Sequence, residues 1–245
     1  MKYGFVLPVY RHGATLEAVV KSLVPYNFPI IVVDDGNDEE NRALIAAVEK
    51  ACPLVTVVTR KKNGGKGRAV MSGFYKAYEM GLTHIIQVDS DGQHDVGRVE
   101  HFLQLSQQNP EKIICGCPIY DASAPKARLI GRKITNGWIH VVTLSFEIKD
   151  PMIGFRVYPV EPVVKMLRRT LYIDGRMGFD IEVLVRLYWR NVSIQSEQVK
   201  VFYPENGISN FRAFEDNARI SLTFARLFIG MLIRSPVLLI RKLFK

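Results

Sequence analysis

Residues 84–94 read HIIQVDSDGQH, and the interpretation of the whole chain starts from this stretch. The run Ile85–Val88 is rich in β-branched apolar residues and predicts a buried strand, which ends abruptly at Asp89-Ser90-Asp91. Two carboxylates at one strand end, followed by Gly92, can close on Mg²⁺ or Mn²⁺, which prefer oxygen ligands and share them with substrate phosphates. A solvated turn also produces such an acid pair, but its place directly after a buried strand favours a ligand site.

Strand-like and helix-like segments alternate through the first half of the chain. The predicted strands are Tyr3–Tyr10, Pro29–Asp35, Val55–Arg60, His84–Asp89 and Lys112–Cys117, and the predicted helices are Thr15–Val24 with Thr15 as its cap, Asp38–Ala51, Gly67–Met80 and Asp95–Gln108. Alternation at this spacing predicts an α/β fold: a Rossmann-like, mostly parallel sheet with helices on both faces.

The second half is less regular and contains no Ser-, Gly- or Pro-rich linker. Its predicted elements are helices over Lys126–Phe146, Val160–Arg169 and Phe179–Arg190 and strands over Phe155–Tyr158 and Val192–Tyr203. We therefore predict one continuous domain over residues 1–216 and a tail over residues 217–245.

Charge and cysteine content suggest a compartment. The net charge is +9, and no acidic residue follows Asp216, whereas six basic residues do. The three cysteines are an odd number without a paired spacing, which indicates reduced thiols in a cytosolic protein. The start YGFVLPVY is strand-like, so we expect no signal peptide. Nothing in the sequence indicates an oligomeric state.

Ligand-like residues follow four predicted strands. These groups are Pro8-Val9-Tyr10, Asp34-Asp35-Gly36, Asn63-Gly64-Gly65-Lys66-Gly67 and Asp89-Ser90-Asp91. Each alone is explained as an ordinary turn or loop. Because the carboxyl ends of parallel strands meet at one sheet edge, their coincidence predicts a nucleotide-binding crevice.

This arrangement resembles the family-2 glycosyltransferases of the GT-A fold, from Tyr3 to about residue 220. The motifs that carry the resemblance are PVY at 8–10, DDG at 34–36, NGGKG at 63–67 with Gly73, DSDGQH at 89–94, and GFR at 154–156 after Asp150. By motif the chain is most similar to dolichyl- and polyprenyl-phosphate sugar synthases and lipid-directed bacterial enzymes. The resemblance implies inverting transfer of a sugar from a UDP- or GDP-linked donor to a lipid, glycolipid or polyprenyl phosphate.

The resemblance also assigns roles at the donor side. It implies that Asp35 accepts hydrogen bonds from the base, that Lys66 approaches the phosphates, and that Asp89 and Asp91 hold Mg²⁺ or Mn²⁺, with Gln93 as a further oxygen ligand. For His94, a direct contact and a supporting role stay open. The full set implied for the nucleotide sugar is Pro8, Val9, Tyr10, Asp35, Gly36, Lys66, Asp89 and Ser90.

Two further groups of residues concern the acceptor. An alcohol acceptor needs a base, and the candidates are Asp180, which we prefer, and Glu182, although helix capping also explains acids there. The acceptor phosphate is expected near four arginines, since a guanidinium fork suits phosphate, although a solvated basic face is the alternative; they are Arg128, Arg132, Arg156 and Arg212.

Some positions depart from the family pattern. Arg11-His12 replaces the usual Asn-Glu after the first motif, and Asn37 replaces a Ser, which puts the identity of the donor in doubt. The Gln-x-x-Arg-Trp string of processive synthases is missing, so transfer of a single sugar is favoured.

Two other functions are alternatives to glycosyl transfer. A nucleotidyltransferase would carry its Gly-rich basic loop after the first strand, where this chain has Val9-Tyr10-Arg11-His12. A non-catalytic module that binds membrane or nucleic acid is compatible with the basic tail. Nucleic acid is not an expected partner, because the aromatic residues that stack on single strands are sparse.

The tail is predicted to associate with an anionic membrane surface, on the inner face of the cell membrane. Its longest uncharged run, Leu227–Ile233, is too short to span a bilayer. Five of its basic residues fall on one helical stripe, which suits lipid headgroups: Arg219, Arg226, Arg234, Arg241 and Lys245. Pro236 predicts a kink or a break between two amphipathic helices. On this interpretation the domain folds without the tail. The alternative is a helix packed on the core.

Overall fold

The fold is described from a computed structural model, which describes residues 1–92, 96–119, 126–200 and 211–243. Its strands are β1 (Tyr3–Val9), β2 (Ile30–Asp34), β3 (Val55–Thr59), β4 (His84–Gln87), β5 (Ile113–Ile119), β6 (Arg156–Pro159) and β7 (Ile194–Lys200). Its α-helices are α1 (Gly13–Leu23), α2 (Glu39–Ala51), α3 (Lys66–Glu79), α4 (Val99–Gln108), α5 (Lys126–Thr143), α6 (Val160–Arg168), α7 (Phe179–Trp189) and α8 (Ala213–Leu243).

The described strands form one sheet in the order β3-β2-β1-β4-β6-β5-β7. Strands β1 to β4 run parallel, β5 pairs in parallel with β7, and β6 lies antiparallel between β4 and β5. Strands β2 and β4 are buried along their whole length because helices cover both faces of the sheet. The predicted α/β class with a mostly parallel sheet is confirmed.

Two predicted helices, α1 and α4, begin at other residues than the sequence indicated. Helix α1 begins at Gly13, and the hydroxyl of Thr15 does not cap it but donates to the carbonyl oxygen of Ser90, 2.6 Å away. Helix α4 begins at Val99, after a short 3₁₀ helix over Val96–Arg98. Thr15 therefore ties α1 to the turn that carries Asp89 and Asp91.

Helix α8 is one continuous helix that contains Pro236, so the chain is not broken into two helices there, and a kink at Pro236 stays a prediction. The boundary predicted after residue 216 falls inside this helix, and the division into domain and tail stays a prediction. The structure shows that α8 shares the core of the domain through buried side chains at Ile220, Thr223, Phe224, Leu227, Met231 and Leu238. Thus the tail is packed on the core along one face.

Two arginines of the basic stripe, Arg226 and Arg234, face the domain, which corrects the prediction that they face lipid headgroups. Arg226 bonds Glu182 at 3.2 Å, and Arg234 lies over the Trp189 ring at 4.7 Å. Arg219 is 3.8 Å from the Asp174 carboxylate, and Arg241 donates to the carbonyl oxygen of Tyr188 at 3.4 Å. The face that is left exposed is apolar, and its side chains include Leu222, Ile229, Leu232, Ile233, Val237, Leu239 and Ile240.

Helix α5 extends this exposed apolar face. Its exposed side chains recur at helical spacing at Ile130, Ile134, Trp138 and Val141. The Trp138 ring lies 6.2 Å from the rings of both Phe224 and Phe228 on α8. By length and composition alone, α8 is also long and apolar enough over Phe214–Leu243 to cross a bilayer, with a mean hydropathy of 1.6. We call the exposed apolar surface of α5 and α8 the lateral face.

Candidate active site

Asp35 anchors the glycine loop at the carboxyl edge of the sheet. Its buried carboxylate accepts hydrogen bonds from Arg60 Nε at 2.8 Å, Asn63 Nδ2 at 2.9 Å and Gly65 N at 2.7 Å. Gly65 has φ +95°, a conformation that L side chains rarely adopt, so glycine is required where the loop turns into α3. Both oxygens of Asp35 are occupied by protein donors, and its contact with a nucleobase stays a prediction.

The first motif is tied to its neighbours mainly through backbone atoms. The carbonyl oxygen of Pro8 accepts from Ser90 Oγ at 2.9 Å, and that of Val9 accepts from Asn37 Nδ2 at 2.9 Å. Asn37 also accepts from the Arg11 backbone N–H at 2.7 Å. The departure from the family pattern at position 37 is therefore explained by a side chain that joins the ends of β1 and β2.

Lys66 lies at the centre of the site, at the first turn of α3. Its Nζ is 2.9 Å from both carboxylate oxygens of Asp89 and 3.0 Å from Asp180 Oδ2. Burial alone would lower the pKa of Lys66, but the Asp180 and Asp89 carboxylates together outweigh it and hold the pKa above its ordinary value. The first turn of α3, the segment after β4 and the first turn of α7 thus meet in one charged cluster of Lys66, Asp89 and Asp180, which we call the Lys66 cluster.

Gly154 makes room for the Lys66 cluster. A Cβ at this position would lie 2.6 Å from Asp89 Oδ1 and 2.7 Å from Lys66 Nζ. Any side chain at position 154 would therefore displace the charged groups. This close packing explains why the first residue of the GFR motif is glycine.

Arg156 is wholly buried, which corrects its prediction as an acceptor contact. Its guanidinium donates to Tyr158 Oη at 2.8 Å, to the Asp180 carbonyl oxygen at 2.8 Å and to the Pro151 carbonyl oxygen at 2.7 Å. A group enclosed in this way supports the start of α7 from within and does not reach a ligand at the surface. Sequence patterns do not reveal that β6 turns this side chain inward.

Both candidate bases are buried, but Glu182 is bound by Arg186 and Arg226 outside the Lys66 cluster, which removes it as a candidate base. It accepts from Arg186 Nη2 at 2.6 Å, from Arg226 Nη2 at 3.2 Å and from the Asp174 backbone N–H at 2.8 Å. Asp180, in contrast, directs its carboxylate at Lys66 and accepts from Gln87 Nε2 at 3.4 Å. Of the two acids, only Asp180 belongs to the Lys66 cluster.

Asp89 and Asp91 lie at the same sheet edge, where the acid pair was predicted to hold a metal. The Asp89 side chain is 20% exposed and Asp91 is half-buried. Gln93 and His94 lie outside the described residues. Within the described ranges, no three His, Cys, Asp or Glu side chains are grouped closely enough to hold a metal. Two carboxylates at one edge fit a cation that takes its other ligands from phosphates and water.

The remaining predicted acceptor arginines are dispersed. Arg132 forms an ion pair with the buried Asp150, which also accepts the backbone N–H of Met152. Arg212 pairs with Glu215 at 2.6 Å, and both side chains are about half exposed. Arg128 lies in α5, but its side chain is not among those described. The structure gives Arg132 and Arg212 protein partners, and their contact with an acceptor stays a prediction.

Similar curated proteins act on lipid phosphates. The UDP-N-acetylglucosamine–dolichyl-phosphate N-acetylglucosaminyltransferase of Methanococcus voltae is 23% identical over 82% of this chain and 85% of its own length. The dolichyl-phosphate beta-glucosyltransferase of Dictyostelium discoideum is 26% identical over 91% of this chain and 72% of its own length. The polyprenol monophosphomannose synthase of Mycolicibacterium smegmatis is 26% identical over 66% of this chain and 63% of its own length.

Among solved structures, the glucosyl-3-phosphoglycerate synthase of Mycobacterium tuberculosis, in complex with Mn²⁺, uridine diphosphate and glucosyl-3-phosphoglycerate, has a TM-score of 0.65. It is 17% identical and covers 95% of this chain and 78% of its own, a likeness that shows the fold. The family model described as glycosyl transferase family 2 matches residues 5–174. This match favours a glycosyltransferase over a nucleotidyltransferase or a non-catalytic module. The chain therefore belongs to glycosyltransferase family 2 and is a glycosyltransferase.

Proposed function

We propose that this enzyme transfers a single sugar from a UDP- or GDP-linked donor to a polyprenyl or dolichyl phosphate, with inversion at the anomeric carbon. The observation that carries the proposal is the Lys66 cluster, where Lys66 joins Asp89 to Asp180 at the edge on which α/β proteins bind ligands. The acceptor class is supported by three relatives named for dolichyl or polyprenol phosphates.

The donor side of the reaction needs stabilisation of a departing diphosphate. Asp89 and Asp91 would hold Mg²⁺ or Mn²⁺, which stabilises the negative charge on the leaving group. Metal use is supported by the Mn²⁺ in the structurally similar synthase. Lys66 stays charged between Asp89 and Asp180, so its ammonium would bind donor phosphates at the same edge.

The acceptor side depends on the nucleophile. The acceptor oxygen attacks the anomeric carbon from the face opposite the diphosphate, and the bond to the diphosphate breaks. Asp180 would take the proton of an alcohol acceptor. A lipid phosphate is already anionic and has less need of a base. In that case Asp180 mainly holds Lys66 in position, 3.0 Å away.

We further propose that the lateral face lies on the membrane where the lipid acceptor resides, on the cytoplasmic side and without crossing the bilayer. Helix α8 packs on the domain from Asp216 to Leu238, and its outer face exposes large apolar side chains. An amphipathic helix of this kind buries its apolar face at the lipid interface. Contact through apolar side chains predicts binding that depends only weakly on salt.

The test of the reaction is transfer from a panel of radiolabelled UDP- and GDP-sugars to polyprenyl phosphate in detergent, with Mn²⁺ present. We expect product with at least one donor, and loss of product in excess chelator. Asp91→Asn should lower the rate by about 10³-fold, whereas the control Glu79→Gln, on an exposed carboxylate of α3, should not. Transfer to soluble acceptors alone would contradict the acceptor class, and normal turnover by Asp91→Asn would contradict the metal assignment.

The test of the membrane surface is co-sedimentation with vesicles of phosphatidylcholine and phosphatidylglycerol. Ile134→Asp on α5 and Ile233→Asp on α8 replace side chains that are 59% and 75% exposed, so both should fold and lose binding. Leu44→Asp, at a 39% exposed position on α2, is the matched control. Equal binding by all three variants would show that the lateral face is not the contact.

A further inference from the structure

Glu182 connects three elements around the start of α7. Its carboxylate accepts from Arg186 on α7, from Arg226 on α8 and from the backbone N–H of Asp174 in the loop before α7. The side chain is completely buried, and Arg226 is 28% exposed. Arg226 also lies over the ring of Tyr172 at 4.6 Å, in the same loop. A side chain of α8 therefore holds a buried acid of the first turn of α7.

Helix α8 touches the start of α7 at a second point. Asp174 Oδ2 accepts from the backbone N–H groups of Arg176 and Gly178, each at 3.0 Å, so the loop is closed by its own carboxylate. A Cβ at Gly178 would lie 2.9 Å from Thr223 Oγ1 of α8. Because no side chain stands between them, α8 packs directly against the residue that precedes α7.

Asp180 and Glu182 lie on opposite sides of this first turn. Two residues are separated by about 200° around an α-helix, so one acid faces the Lys66 cluster and the other faces α8. The turn is held on one side by Lys66, 3.0 Å from Asp180, and on the other by Arg226, 3.2 Å from Glu182. Arg226 does not touch the Lys66 cluster in these contacts.

We propose that Arg226, acting through Glu182, is a positioning residue that fixes the Asp180 carboxylate against Lys66. The inference rests on the proposed function, in which Asp180 serves the transfer reaction. It makes α8 part of the catalytic architecture: the helix whose outer face is proposed to meet the membrane also sets the place of an active-site acid. Loss of the Arg226 contact lets the first turn of α7 shift, and small displacements of catalytic groups are costly in rate.

The kinetic test uses Arg226→Met, with Arg226→Lys as the conservative variant. Glu182 keeps its bonds to Arg186 in both, so both should fold. Arg234→Met is the matched control. Arg234 lies on the same helix and stacks on Trp189, but its guanidinium donates to the carbonyl oxygen of Gly230 and not to a carboxylate. We expect Arg226→Met to lower kcat about tenfold with KM for donor and acceptor within about twofold. Arg226→Lys should recover most of kcat, and Arg234→Met should match wild type.

A double variant shows whether Arg226 acts through Asp180. In an Asp180→Asn background, Arg226→Met should cause no further loss of kcat, because both substitutions affect the same carboxylate. An additional loss of the same size in that background would overturn the proposal. Equal kcat for Arg226→Met and Arg234→Met would also overturn it.

A spectroscopic test does not depend on turnover. The ¹⁵Nζ signal of the Lys66 ammonium, assigned with Lys66→Arg, reports the carboxylates around it. We expect this signal to shift in Arg226→Met and in Asp180→Asn, and to stay in place in Arg234→Met. An unchanged signal in Arg226→Met overturns the positioning role. If wild type transfers no sugar, the proposed function fails, but this measurement still decides whether Arg226 places Asp180.

Discussion

Replacement of Lys66 by methionine removes the ammonium group that contacts both Asp89 and Asp180. Methionine keeps much of the aliphatic volume, so the change is mainly one of charge. At about 3 Å and an effective dielectric constant of about 20, each ion pair is worth about 5 kcal/mol before desolvation is counted. Removal of one partner from a buried pair costs about 3–5 kcal/mol.

The lower end of that range applies here. Lys66 and Asp89 are 17% and 20% exposed, so water can partly hydrate the carboxylate that is left. We therefore expect a loss of about 3 kcal/mol in the free energy of unfolding, which for a domain of this size lowers the Tm by about 6–12 °C. Because the pKa of Lys66 is raised, its contribution is complete below the ordinary lysine pKa of 10.5 and is lost only as the pH rises beyond it. A measurement at pH 7.5 therefore captures all of it.

The assay is scanning calorimetry of Lys66→Met, of the control Lys76→Met, and of the double variant Lys66→Met/Asp180→Asn. Lys76 lies on the same helix, 3.8 Å from an exposed Glu79, and its replacement should change the Tm by no more than about 2 °C. The double variant should recover about 1–2 kcal/mol, because one uncompensated carboxylate is gone. If Lys66→Met melts like Lys76→Met, or if the double variant recovers nothing, the reasoning about the Lys66 cluster is refuted.

Three further predictions concern the base, the pH dependence of stability and the tail. Asp180→Asn should lower kcat by about 10²–10⁴-fold with an alcohol acceptor, and only about tenfold with a lipid phosphate, while donor binding survives; loss of donor binding would contradict this role. Burial lowers the pKa of His84 below its ordinary value of 6.5, so its neutral form stabilises the fold above that pH and stability is lost as the pH falls through the folded-state pKa. The Tm of His84→Gln should therefore fall less between pH 7.5 and 5 than that of wild type or of His140→Gln. An equal fall in Tm for all three proteins would contradict this prediction. Truncation after Asn217 removes five large apolar side chains from the core, whose burial contributes roughly 7–15 kcal/mol. Because this is as large as the stability of a typical domain, we expect the truncated chain to show no cooperative unfolding transition in calorimetry. A truncated chain that still unfolds cooperatively would show that α8 is dispensable.

The strand-end motifs could be recognised from the sequence because each depends on residues that are close along the chain. A β-branched run ending in Asp89-Ser90-Asp91 carries its own evidence of burial and of a turn. Parallel strands then bring Lys66 and the acid pair to one edge by topology alone. The contact between Lys66 and Asp180 was not predicted, because it joins residues far apart in the chain and no local pattern records it.

The errors share a cause. Helical spacing predicted that five basic residues of the tail form one stripe. It did not show which neighbour each face of a helix meets, so Arg226 and Arg234 were assigned to the lipid surface and Glu182 was kept as a candidate base. Arg156 was misplaced for the same reason, because the strand register that buries it depends on β4 and β5.

The sequence by itself determined the α/β class, the family and the sheet edge at which the motifs gather, since hydrophobic periodicity and short motifs are local properties of the chain. Only the tertiary structure decided that Lys66 joins Asp89 to Asp180, that Glu182 is bound by Arg226, and that α8 directs Arg226 and Arg234 at the domain and large apolar side chains outward. The physical reason is that periodicity defines the faces of a helix, whereas its rotation against neighbours follows from the burial of charge and apolar surface in the whole fold.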